Sequence, residues 1–206
     1  MAVLPILELP HPMLRKRARK VRNIDSSILR VAYDMVDTLR DYNGVGLAAN
    51  QVGQLHRIIV IQLPDDEDET RIYINPEIVQ REGEREVEEG CLSIPGYKGY
   101  INRSLWVKFR ALDHTAKVVK LHAEDLLSQA LEHQTDHLNG ILYIDHLGEH
   151  QKLVKVEPPS DPEGDTDQDG AGDVESDVNG VVNRPDNESD DPTVETRDTP
   201  ASLKVR

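Results

Sequence analysis

His133 and His137 stand four residues apart in the segment EDLLSQALEHQTDHLNG, residues 124–140. On an α-helix, positions i and i+4 lie one above the other, so both imidazoles can reach a single cation. The chain has one cysteine, Cys91, in the segment EEGCLSIPG. As a thiolate it would complete a Cys1His2 donor set with one coordination position open, the arrangement of a catalytic rather than a structural metal site. The residues alone leave a second reading standing: a solvent-facing histidine pair, and a cysteine that packs as a small buried hydrophobe. His11, His56, His114, His122, His146 and His150 have no ligand spacing and are expected to be solvated or satisfied by local hydrogen bonds.

These side chains need elements to carry them. Leu126, Leu127, Ala130, Leu131 and Leu138 give residues 124–140 an apolar helical face, and Gly140 supplies a stop. A second helix is expected over residues 25–42, where Ile28, Val31, Met35, Leu39 and Tyr42 recur at three-to-four spacing behind an Asp25 N-cap. Asn43-Gly44 ends it in a glycine-rich loop, GVGLAANQVG. The runs RIIVIQL, RIYINPEIVQR, LWVKFRALD and KVVKLHA read as strands, with an acidic turn, PDDEDET, after the first. EVEEGCLSIPG reads as a strand closed by a Pro-Gly turn, and ILYIDHL as a short strand or extended segment. The expected fold is α+β: mostly antiparallel sheets packed around a central metal-binding helix.

Three segments, in order, resemble the signature motifs of the peptide deformylases: Gly44-Val45-Gly46-Leu47-Ala48-Ala49-Asn50-Gln51, Glu89-Gly90-Cys91-Leu92-Ser93 and His133-Gln134-Thr135-Asp136-His137. The opening ILELPHPMLRKRARKV and the flanks SIPGYKG, NRS and DHLNGILYIDHL extend the likeness over roughly residues 4–148. The resemblance implies a metal-dependent hydrolase that removes the formyl group from the N-terminal formyl-methionine of nascent polypeptides. It implies one divalent ion on Cys91, His133 and His137, usually Fe(II), with Zn or Ni able to replace it. The Gln51 amide and the Leu92 backbone N–H would donate to the oxyanion. Gly46 would present backbone to the substrate, and Glu89 would stand towards the pocket wall. Val45, Leu126 and Ala130 would line the methionine pocket, and Arg103 with Asp136 would steady the metal helix. The partners implied are formyl-methionyl nascent chains, with transient ribosome proximity. A metallopeptidase of the His-Glu-x-x-His type is disfavoured, since those sites take a third histidine or a carboxylate ligand instead of a thiolate.

One position departs from the family pattern. Its motif is His-Glu-x-x-His, and here the second residue is Gln134. Glutamine keeps the shape of glutamate and can still hydrogen-bond water, but it cannot take and release a proton near neutral pH. The alternative function is therefore a metal-binding pseudoenzyme that holds formyl-peptides without turning them over. Glu132, the nearest carboxylate in sequence, should point away from the open position, at about 100° per residue around the helix. Asp125 and Ala116 stand at turn positions where the family often has glycine.

Charge divides the chain. The formal net charge is −14, of which residues 157–206 contribute −11 with no aromatic residue among them. That segment is expected to be a disordered acidic tail behind a catalytic domain at residues 1–156. Its charge argues against nucleic-acid binding. No segment reads as a signal peptide or membrane span, and one cysteine excludes an intrachain disulfide, so a reducing cytoplasm is expected.

Overall fold

The computed structural model describes residues 2–64, 70–148 and 153–156, all within one compact unit. The acidic tail at 157–206 and most of the acidic turn lie outside the described residues.

The helical spacing behind Asp25 folds as expected into α1, Ser26–Asp41, whose Asp25 carboxylate accepts from the backbone N–H groups of Ser27 and Ile28. The loop expected next contains structure instead. Gly46–Ala48 forms a short strand, β1, and Ala49–Val52 one 3-10 turn. Leu47 and Ala48 are fully buried there, so the apolar surface of this stretch outweighs its glycines.

β1 opens a five-stranded antiparallel sheet with β2 (Ile58–Ile61), β3 (Arg71–Glu82), β6 (Trp106–Leu112) and β7 (Val118–Glu124), in that order across the sheet. β4 (Arg85–Cys91), β5 (Ile94–Arg103) and β8 (Val154–Lys155) form a second, antiparallel sheet. Every residue of β2 is buried, because the sheet is covered on both faces. Ile58 and Val60 join the cluster under α1, and Ile59 and Ile61 join the opposite one. The α+β architecture with antiparallel pairing is the one expected.

Two local expectations are corrected. Pro95-Gly96 lies inside β5, and the chain reverses at Leu92-Ser93, where Cys91 pairs with Ile94. The Ser93 backbone N–H, 3.4 Å from Cys91 Sγ, donates to it and tightens that reversal. ILYIDHL is not a strand. Residues Tyr143–His146 form a 3-10 turn, because the Asp145 carboxylate accepts from the Leu142 N–H and is gripped by Arg15 from across the molecule.

The second helix, α2 (Asp125–Leu138), belongs to the cluster on the far face of the sheet from α1. Asp125 and Ala116 both sit at positive φ, which accounts for the glycine usual at these turns. Arg85 holds Asp125 by its carboxylate and its carbonyl. From Ala130 to Leu138 every residue of α2 is buried, including Glu132, His133, Gln134 and Asp136. Burying that many polar groups is unfavourable unless each has a partner.

Gly140 ends the helix run at φ +78, and a Cβ there would lie 2.5 Å from the Arg15 carbonyl oxygen. Gly140→Ala is expected to destabilise the fold by roughly 2 kcal/mol or more. The check is urea denaturation, where the midpoint falls while the slope stays unchanged.

Candidate metal centre

α2 presents His133 and His137 on one face, and the β4–β5 reversal brings Cys91 to them. Cys91 Sγ lies 3.2 Å from His137 Nε2, which lies 3.1 Å from His133 Nε2. All three donor atoms fall within 4.8 Å of one another. A tetrahedral ion with bonds of about 2.0–2.3 Å separates its ligand atoms by roughly 3.3–3.6 Å, so the cluster matches one cation in size and donor type. The reading that left the histidines on an exposed face fails, since both are more than nine-tenths buried.

The next ring of residues fixes these donors. His133 Nδ1 donates to Glu89 Oε1 at 2.5 Å, which turns Nε2 towards Cys91 and His137. Arg103 donates to both oxygens of Glu89, at 3.0 and 2.7 Å, and to Asp136 Oδ2 at 2.6 Å. His146 Nε2 meets the same Asp136 oxygen at 2.9 Å. Burial alone would raise the Glu89 pKa, but the His133 hydrogen bond and the Arg103 guanidinium outweigh it and hold it at about 2. Asp136 is likewise held below its usual range, burial being outweighed by His146 and Arg103. Burial also opposes ionisation of the Cys91 thiol, yet the two imidazoles bring its pKa well down, towards the thiolate that a metal needs.

The Gln51 amide stands beside this cluster. Its Oε1 accepts from the Ala48 N–H at 2.8 Å, and its Nε2 donates to Ser93 Oγ at 3.1 Å and lies 3.6 Å from Cys91 Sγ. Leu92 follows Cys91 directly in the reversal. Gln134 is 4 % exposed, and its Oε1 has no hydrogen-bond partner among the described residues. A buried carbonyl oxygen left that way is costly unless a water or ligand at the site meets it.

The expected site residues fall in three groups. Cys91, His133, His137 and Gln51 come together, Leu92 and Gln134 adjoin Cys91 and His133 in sequence, and Arg103 pairs with Asp136. One expected site residue, Glu89, is placed differently. Glu89 does not face a pocket wall, because both its oxygens are taken by His133 and Arg103. At Gly46 a Cβ would also meet Gln134 and Ile61 at 2.9–3.0 Å. Val45 and Ala130 share one apolar cluster, while Leu126 is 40 % exposed at the start of α2. Ser93 and His146 carried no spacing signal in the sequence. Glu132 is disqualified as a base: Arg81, the Ser104 N–H and the Ser104 hydroxyl all donate to its carboxylate.

Comparison with known proteins agrees with this geometry. The family model described as polypeptide deformylase matches residues 3–153. A peptide deformylase of Dehalococcoides mccartyi (strain CBDB1) is 48 % identical over 158 residues, covering 77 % of this chain and 94 % of that protein. One from Hamiltonella defensa subsp. Acyrthosiphon pisum is 43 % identical over 147 residues, covering 71 % and 86 %. The crystal structure of a peptide deformylase from Legionella pneumophila superposes with a TM-score of 0.69 at 43 % identity, over 72 % of this chain and 88 % of that one. The chain belongs to the polypeptide deformylase family.

Proposed function

We propose that the chain hydrolyses the formyl amide of N-formyl-methionyl polypeptides, releasing formate and a free N-terminal amine. The observation that carries this is the buried Cys91–His133–His137 cluster with the Gln51 amide at its rim. Cys91, His133 and His137 would hold one divalent ion, Fe(II) by the family resemblance, with Zn and Ni compatible with the same donors. Such an ion, when bound, supplies Lewis-acid polarisation and an acidified water.

The chain's own residues do the rest. Glu89 holds the proton on His133 Nδ1, leaving Nε2 free as a ligand. Gln51 Nε2 and the Leu92 N–H donate to the oxygen that gains charge as the formyl carbon is attacked. Preorganised donors of this kind contribute about 10²–10³ each. Val45, Ala130 and Leu126 offer apolar surface for the methionine side chain. Gln134 orients water at the site but moves no proton. No observation favours a formyl-peptide binder without turnover.

We place the catalytic domain at residues 1–156 and its work in the cytoplasm, on chains emerging from the ribosome. No helix among the described residues is long and apolar enough to cross a membrane.

Formate release from formyl-methionyl-alanine by the Ni(II)-loaded chain tests the reading. Slow, saturable release that stops on chelation is expected, and no release from this chain or from Gln134→Glu contradicts it. In Cys91→Ser, metal content by elemental analysis is expected to fall well below one equivalent at equal folded fraction. Unchanged content would remove Cys91 from the ligand set.

A further inference from the structure

The face of α2 opposite the metal cluster borders a cavity of about 540 Å³. At 100° per residue Thr135 points away from both His133 and His137, and Asn139 follows it one turn later on the same face. The cavity walls carry four cations: Arg17, Lys20, Arg57 and Arg81. Among the described residues, the single acidic side chain lining it is Glu77. We propose that this cavity is an anion site that takes the phosphate group of a small molecule.

Three observations carry the proposal. First, Arg57 is buried and rigidly aimed, donating to Asn139 Oδ1 at 2.9 Å and to the Pro76 carbonyl at 3.1 Å. A guanidinium has five N–H donors, so these two bonds leave donors for a ligand. Second, Thr135 is 5 % exposed and its hydroxyl finds no hydrogen-bond partner among the described residues, although it lines the cavity. A buried hydroxyl in that state is costly, and a turn of the Thr135 side chain into the cavity would let a phosphate oxygen satisfy it. Third, two of the four cations are not neutralised locally. Arg81 pairs with Glu132, but Arg17 and Lys20 are in no ion pair among the described residues. Burial, and then the like charge of Arg17, push the Arg57 pKa down against the opposing charge of Glu77, and a bound anion would offset the repulsion between the two guanidiniums.

The volume lies in the range of small-molecule sites. Planar guanidinium forks and a hydroxyl suit a tetrahedral oxyanion better than a carboxylate alone. Two sources share that chemistry, free inorganic phosphate and a phosphomonoester.

The test is calorimetric titration of the full-length, metal-loaded chain with inorganic phosphate at constant ionic strength, repeated with adenosine monophosphate. Saturable binding at one site per chain is expected. Arg17→Glu should weaken it about tenfold or more, and Glu77→Gln should tighten it several-fold, since both are exposed positions whose change alters only the local charge. Tighter binding of adenosine monophosphate than of phosphate identifies a phosphomonoester as the ligand, and the reverse order identifies the free ion. Absence of saturable binding with both probes overturns the proposal. Equal affinity in the native chain and in both variants does so as well, because the anion then sits elsewhere, as at the metal centre.

Discussion

Gln134→Glu is expected to raise the turnover number for a formyl-methionyl peptide by about 10²–10⁴-fold, the range that general acid–base catalysis supplies. The position suits the role. Gln134 is 4 % exposed and adjoins His133 in a helix whose ligand face closes on Cys91, and its Oε1 is unmatched among the described residues. Glutamate has the same shape, so the change adds a proton-accepting atom without adding volume. Among the described residues, neither nearby glutamate fills that role. Glu132 is tied to Arg81 and Ser104, and Glu89 to Arg103 and His133. Because Gln134 is not a ligand, metal content should stay the same and the gain should fall on kcat with KM little changed. Equal kcat values for the two proteins would show that proton transfer at residue 134 does not limit the reaction.

Arg103→Ala is expected to lower the stability of the fold by about 3–5 kcal/mol, the cost of leaving buried charge unpaired. The side chain is 4 % exposed and joins β5 to two other elements: Glu89 on β4 and Asp136 on α2. Without it two buried carboxylates keep their charge in a dry environment and lose their main cation. Urea denaturation measures the loss. The metal should bind about 10–100-fold more weakly as well, because Glu89 no longer holds His133 rigidly. Arg103→Lys should recover only part of either loss, since an ammonium cannot span both Glu89 oxygens and Asp136 as the fork does.

The same network sets an acid limit. Glu89 has a folded-state pKa of about 2 against an ordinary 4.5, so its stabilising contribution is complete above 4.5 and is lost as pH falls towards 2. In Arg103→Ala the folded value moves back up, and this part of the acid slope flattens. An unchanged midpoint and an unchanged acid slope in Arg103→Ala would mean that the buried pairs contribute nothing to the fold.

The sequence exposed the ligands because their signal is local or repeated in a motif. Two histidines one helical turn apart carry their geometry in their spacing. Cys91 did not, and only the order of three motifs tied it to them. What stayed hidden depends on contacts between distant segments. Glu89 meets His133 across 44 residues, and nothing in either segment encodes that the carboxylate turns inward to Arg103 rather than to the substrate. His146 reaches Asp136 through the turn at Tyr143–His146, which reads as extended because Ile, Leu and Tyr favour strands while Asp145 and Arg15 impose the turn. Gly46 was legible as a small residue, but its packing constraint was not. Only the packing of α2 against β1 shows that a Cβ would meet Gln134. Both helices and strands β2, β3, β4, β6 and β7 were legible, since period-two and helical patterns are set by burial of one face, whereas β1, β5 and β8 were not.

The central claim is that Cys91, His133 and His137 bind one divalent ion and thereby support hydrolysis. It is tested most directly by titrating the metal-free chain with Ni(II) and following the thiolate charge-transfer absorption, beside His133→Ala. One equivalent bound with a thiolate band is expected in the native chain, and loss of tight binding in His133→Ala. A native chain that binds no ion, or binds one with no thiolate band and the same affinity after His133→Ala, would contradict it.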